Sequence, residues 1–263
     1  MLLRELKVNI KSLIIWTSIL VGMFLIVFLV YPSIINEGNA EMLNKMMTAF
    51  PEEMLKAFNM DISAISSVFG WFKTEGYMFL TIIGALYSAI LGSTILVKEE
   101  SDKTIEFLYS KPTTRNKIVT SKILCGVINI FILSLLTYIF NMIGFKLSDD
   151  LEITEFTLLS FAPLMLYYSM FFIMLFISTF FRKTKKVMGV GIAIVFISYF
   201  FQMVGNLSDK VSFFKKISLF ELAPARDIIL KSKIDFNIIL ISLVIIIFTS
   251  IGTYIRYNKK DFI

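Results

Sequence analysis

The side chains able to do chemistry crowd into one stretch of this 263-residue sequence, KEESDKTIEFLYSKPTTRNKIVTSK at 98–122. It holds acids, bases and hydroxyls, but not in a catalytic pattern. Proton transfer and nucleophilic attack need a nucleophile or acid with a tuned base beside it. The chain has no histidine, so the common base and the common zinc and copper ligand sets are missing. Its single cysteine, Cys125, lies in an apolar run, where packing is the natural reading and an intrachain disulfide has no partner. No G-x-x-x-x-G-K-[ST] phosphate loop occurs, so ATP is not hydrolysed here by that route. No catalytic residue, metal ligand or cofactor site is therefore assigned. The chemistry left to this stretch is recognition.

The local signals inside it describe a presented helix. Ser101 is placed to cap a helix whose first turn carries Asp102. Ile105, Leu108 and Tyr109 follow at i, i+3 and i+4 and form one apolar face. Pro112 disfavours helical geometry at Lys111 and ends the element. Thr113 or Thr114 can then cap a second helix running through Arg115, Lys117 and Lys122. Such a short helix either seats on lipid or docks a partner.

The elements that carry it are apolar. Hydrophobic residues make up 57% of the chain and its mean hydropathy is +0.78, beyond the apolar share of about 45–50% usual in soluble domains. The excess falls into six runs near 20 residues, the length that crosses roughly 30 Å of hydrocarbon. They lie approximately at 12–31, 76–97, 123–145, 157–181, 187–205 and 237–255. The first is too long for a signal peptide and lacks its cleavage site, so it reads as a retained span. The expected fold is an all-α membrane protein, a single transmembrane domain over 1–263.

With both termini inside, the inner segments hold 16 of the 26 basic residues and a net charge of +10, against −4 outside. The positive-inside rule then puts both termini and the 98–122 loop in the cytoplasm, and explains the overall +6 without nucleic acid. Residues 1–12 suit a short interfacial helix, with Leu3, Leu6 and Ile10 opposite Arg4, Lys7 and Lys11. On the outer side, 40–60 reads as an amphipathic helix broken near Pro51, either flat on the interface or part of a vestibule. The segment before span 6 reads as one or two short helices dipping into the outer leaflet. Gly84, Ser88 and Gly92 place small residues at steps of four along span 2, for close helix packing. Pro163 is placed to kink span 4. The spans so bounded hold no Asp, Glu, Lys, Arg or His, which argues against ion-coupled pumping. Asn129, Thr137, Asn141 and Gln202 either line a polar path or bond between helices.

The 98–122 stretch resembles the cytoplasmic loop of type-2 ABC exporter permeases. In that pattern an acid, a short gap and G-T lead into an apolar–Glu–apolar–Leu helix, then Ser-x-Pro, a basic residue and a Lys before the next span. Glu100, Thr104, Glu106, Leu108, Ser110, Pro112, Arg115 and Lys122 fill those places. Lys103 stands where the glycine is usual, a departure able to extend the helix by a turn. The pre-span-6 segment LFELAPARDIILKSKIDF is also similar to its counterpart. The resemblance implies a coupling helix in which Glu100, Asp102, Thr104, Glu106, Phe107, Leu108, Tyr109 and Arg115 contact a separate ATP-binding subunit, with ATP and Mg on that partner.

Taken together, these signals lead to an expected permease subunit of an ATP-driven exporter in a bacterial cell membrane. It would work with a second permease copy or homologue, two ATPases and membrane lipid. Its cargo would be amphipathic: a peptide antibiotic, a drug or a lipid-like molecule. The alternative is a non-transporting sensor, immunity or assembly subunit. An intramembrane enzyme lacks the groups it would need.

Overall fold

Among the described residues, six helices are long and apolar enough to cross a membrane, which makes this a multi-pass membrane protein. The computed structural model describes residues 1–34, 67–106, 113–147 and 152–261, all of them helical or irregular with no strand. Span 1 is Leu2–Ile34, span 2 Val68–Ile95, span 3 Arg115–Leu147, span 4 Ile153–Ser178, span 5 Thr184–Leu207 and span 6 Phe236–Asn258. The expected outer helix at 40–60 lies outside the described residues.

Spans 1 and 3 are each 33 residues, close to 50 Å at 1.5 Å per residue, and outreach the hydrocarbon. The interfacial helix expected at 1–12 is no separate element but the first turns of span 1. Nothing in MLLRELKVNIKS breaks a helix, so the polar face and the span run on in register. The helices also extend past the charge-free cores read from the sequence. Lys73, Glu75, Lys122 and Glu155 are all within them.

Spans 2 and 4 form the most extensive helix pair and are the most buried, while spans 1, 5 and 6 turn mostly outward. The close approach is built on missing side chains. A Cβ at Gly84 would collide with the Tyr167 ring, and one at Gly92 with the backbone carbonyl of Phe171. Ser88, fully buried between them, donates to the Gly84 carbonyl at 2.8 Å. Tyr167 fills the groove and donates to the Leu80 carbonyl at 2.7 Å. Without a hydrophobic difference between lipid and side chain, such van der Waals contact is what holds helices together in a membrane. The outward faces carry the apolar residues expected against lipid, among them Ile26, Phe200, Ile247 and Phe248.

Pro163 interrupts span 4. It has no N–H to donate to Leu159, so the helix is re-started there, though Ala162 keeps right-handed geometry. Span 2 carries a π-helical segment, Phe72–Gly76, near its start. The connection before span 6 holds two short 3-10 turns and two short helices, Phe213–Ile217 and Ala225–Lys231. Its irregular backbone is tied to the rest of the protein by side-chain hydrogen bonds. Tyr77 donates to the Ala223 carbonyl at 3.1 Å, and Ser218 to the Ser198 carbonyl at 2.7 Å. Asp235 caps span 6; the Asn237 N–H donating to it at 3.0 Å holds its carboxyl below the usual range.

Asn129 and Thr137, two of the candidates for interhelical bonds, bond instead to their own helix, at the Cys125 and Leu133 carbonyls. Asn141 lines a small cavity with Ser134 and Ser160 at the junction of spans 1 to 4.

Candidate functional site

Two neighbouring acids open the loop, and the structure sends them in different directions. Glu99 and Glu100 belong to a one-turn helix, Lys98–Ser101, that continues span 2. Successive helical residues point about 100° apart, so each carboxylate reaches a different neighbour.

Glu99 meets Lys122. The Lys122 ammonium donates to both Glu99 oxygens at 2.8 Å and to the Ile95 carbonyl at 2.5 Å, and pairs with Glu5 at 3.4 Å. Lys122 is 1% exposed. This one ammonium joins span 1, the end of span 2 and span 3. Glu100 meets Lys260, which donates to it at 2.6 Å and to the Phe181 carbonyl at 2.6 Å. Arg182 adds an ion pair to Glu100 at 3.5 Å. That second cluster joins the loop to the span 4–5 connection and to the segment after span 6.

The charges balance across the two clusters. Three carboxylates, Glu5, Glu99 and Glu100, face three cations, Lys122, Lys260 and Arg182. Ionised groups survive burial when paired and hydrogen-bonded; each buried member here has a charged partner, and Glu100 accepts its hydrogen bond through one oxygen, the other facing Arg182 without one.

Arg115 completes the arrangement. As the first residue of span 3, it donates to the carbonyls of Asn258 at 2.7 Å and Lys260 at 2.9 Å, with Tyr257 at 3.4 Å. A guanidinium at the open carbonyls of a helix end satisfies orphan acceptors and suits the helix dipole. Asn258 also donates to Asn116 at 2.6 Å. Thr114 caps span 3, accepting from the Lys117 N–H at 3.3 Å.

The loop backbone departs from expectation at two places. Ser101 does not start a helix but ends one. Its hydroxyl accepts from the Thr184 N–H at 3.4 Å and so helps cap span 5 across space. The helix is not lengthened by Lys103, which sits at φ 56°, in left-handed geometry. The Lys103 N–H bonds to the Glu100 carbonyl and the Thr104 N–H to the Glu99 carbonyl. That is the Schellman arrangement, whose left-handed position favours glycine. This lysine thus occupies a turn position that favours glycine: position, not residue type, stops the helix.

Beyond that turn the chain faces outward. Asp102, Thr104 and Glu106 are exposed, while Ile105 is buried in the core. Phe107, Leu108, Tyr109 and Pro112 lie outside the described residues. The structure brings together Glu100 and Arg115, one on each limb of the loop, through the segment after span 6. Sequence reading missed Glu5, Glu99 and Lys260 as members of this site. Their only signal was charge beside an apolar run, which solvated flanks share.

Against known proteins, residues 1–262 match a family model described as ABC-2 family transporter protein. No curated protein and no solved structure matches the chain.

Proposed function

The chain belongs to the ABC-2 transporter family, and on that premise we propose that it is the membrane subunit of an ATP-driven exporter, worked from the 98–122 loop by a separate ATPase. The observation that carries this reading is the root of the loop. Glu99 is bound by buried ion pairs through Lys122 to spans 1 and 3, and Glu100 to Lys260 in the segment after span 6, with the exposed Arg182 adding the span 4–5 connection. A push on the exposed Asp102, Thr104 and Glu106 is therefore shared among most of the bundle, because buried ion pairs resist separation.

In this reading Asp102, Thr104, Glu106, Phe107, Leu108 and Tyr109 meet the ATPase, with an apolar centre and charged rim as interface hot spots have. Glu100 and Arg115 act behind them as positioning residues. The subunit pairs with a second copy or homologue, and ATP and Mg stay on the partner. The absence of catalytic groups accords with a cargo that is moved, not altered. The apolar outer faces of spans 1, 5 and 6 suit an amphipathic cargo that travels with lipid.

The test is co-purification with the ATPase encoded beside its gene. Wild type should retain the ATPase, and Leu108→Asp should lose it while remaining inserted and folded. If neither holds an ATPase, a sensor or assembly subunit replaces the exporter reading.

A further inference from the structure

At the opposite end of the bundle from the ion-pair clusters, spans 2 and 5 and the connection before span 6 enclose a pocket of about 50 Å³. Its walls include Thr74 and Thr81 of span 2, Gln202 and Asn206 of span 5, and the Tyr199–Phe220 ring pair with centroids 5.4 Å apart. The half-buried amides of Gln202 and Asn206, one turn apart, have no hydrogen-bond partner among the described residues. Glu75 lies on the same stretch of span 2 as the lining residues Thr74, Tyr77 and Met78.

Glu75 is half-buried and has no ion pair or hydrogen bond among the described residues. Its neighbour Lys73 is spent elsewhere, on Glu155 at 2.7 Å and over the Phe69 ring. The segment holding both is π-helical, Phe72–Gly76. Such one-turn insertions re-aim side chains and recur at functional sites.

A carboxylate out of bulk water without a partner is costly, and a cation brought to it recovers that cost. The groups around it offer acceptor oxygens: two amide carbonyls, threonine hydroxyls and a phenol. Aromatic faces add attraction for positive charge. The volume admits a small head group and leaves any tail in the surrounding apolar phase.

We propose that this pocket binds the primary ammonium head group of an amphiphile, with Glu75 as counter-ion and Gln202 and Asn206 as hydrogen-bond acceptors. The inference rests on the exporter reading only for calling that amphiphile a cargo. Head groups of this chemistry come from transported cationic amphiphiles or from aminolipids.

The experiment uses the full chain, without ATPase, in phosphatidylcholine nanodiscs. Dodecylammonium is titrated while the fluorescence of Trp71, one turn from Glu75, is read in a Trp16→Phe background. Saturable binding weakened about tenfold or more by Glu75→Gln and kept by Glu75→Asp supports the site, provided Glu75→Gln unfolds no earlier than its parent. Equal binding by Glu75→Gln, or equal binding of dodecanol, overturns it. Repeating the titration with phosphatidylethanolamine in the disc assigns the source. Competition that depends on Glu75 marks the lipid head group as occupant, and unchanged binding marks an added amphiphile. Because no ATPase is present, failure here leaves the coupling reading standing, and failed co-purification leaves this result standing.

Discussion

The two ends of the bundle handle buried charge in opposite ways. At the loop end Lys122, Glu99, Glu5, Glu100 and Lys260 are nearly all out of solvent, and each is paired. At the other end Glu75 is half-buried without an ion pair among the described residues, beside amides that also lack partners. Even the ion pairs there, among them Lys73 with Glu155 and Glu152 and Lys215 with Glu221, are partly open to solvent. A closed network holds segments in fixed relation. An open one is left to be completed by something else. The molecule thus separates a rigid end, suited to passing on force, from a receptive end, suited to binding.

Removing cations tests that difference most directly. Lys122→Met strands Glu99 and Glu5 in the protein, and should lower stability by about 3–5 kcal/mol, read as thermal unfolding in nanodiscs. Adding Glu99→Gln and Glu5→Gln to it should restore part of the loss, since neutral amides need no counter-charge.

Next in size, Lys260→Met leaves Glu100 with only the exposed Arg182. The expected loss is about 1.5–3 kcal/mol, with faster hydrogen exchange over 98–106 but not over 68–76. Exchange that rises equally at both ends would mean that the cluster is no local fastening.

The turn at Lys103 supplies a smaller effect. Lys103→Val puts a β-branched residue at φ 56° and should cost about 1–2 kcal/mol, whereas Lys103→Gly should cost nothing. A loss with glycine would show that the lysine side chain, not the backbone, makes the turn.

Smallest of all, Lys73→Met at the receptive end should shift stability by about 1 kcal/mol, because the pair keeps about a fifth of its side-chain surface in solvent. A loss as large as that of Lys122→Met would erase the contrast between the ends.

Much of the architecture was legible because membrane helices advertise themselves. Long apolar runs marked all six spans, and Pro163 marked the break in span 4, where the missing N–H acts whatever the surroundings. Thr114 was readable as a cap for the same local reason. The small residues of span 2 were legible as a packing face, but not that Tyr167 and Phe171 fill it, since the partner helix is 80 residues away. Lys103 misled, because propensity favours helix there while the turn's hydrogen bonds decide otherwise. The setting of Glu75 was not legible, since a π-helical turn leaves no trace in residue type.

By itself the sequence determined the class of the protein: a helical, multi-pass membrane chain carrying a charged loop of recognisable pattern. Hydrophobic length, charge bias and turn chemistry are local quantities, so they are written in order along the chain. Only the tertiary structure decided that Glu99 and Glu100 serve two separate clusters, that Lys260 reaches back to the loop, and that Glu75, beside a pocket, has no ion pair or hydrogen bond among the described residues. Those facts depend on which distant segments meet. Coulombic and hydrogen-bond energies fall off within a few ångströms of such meetings.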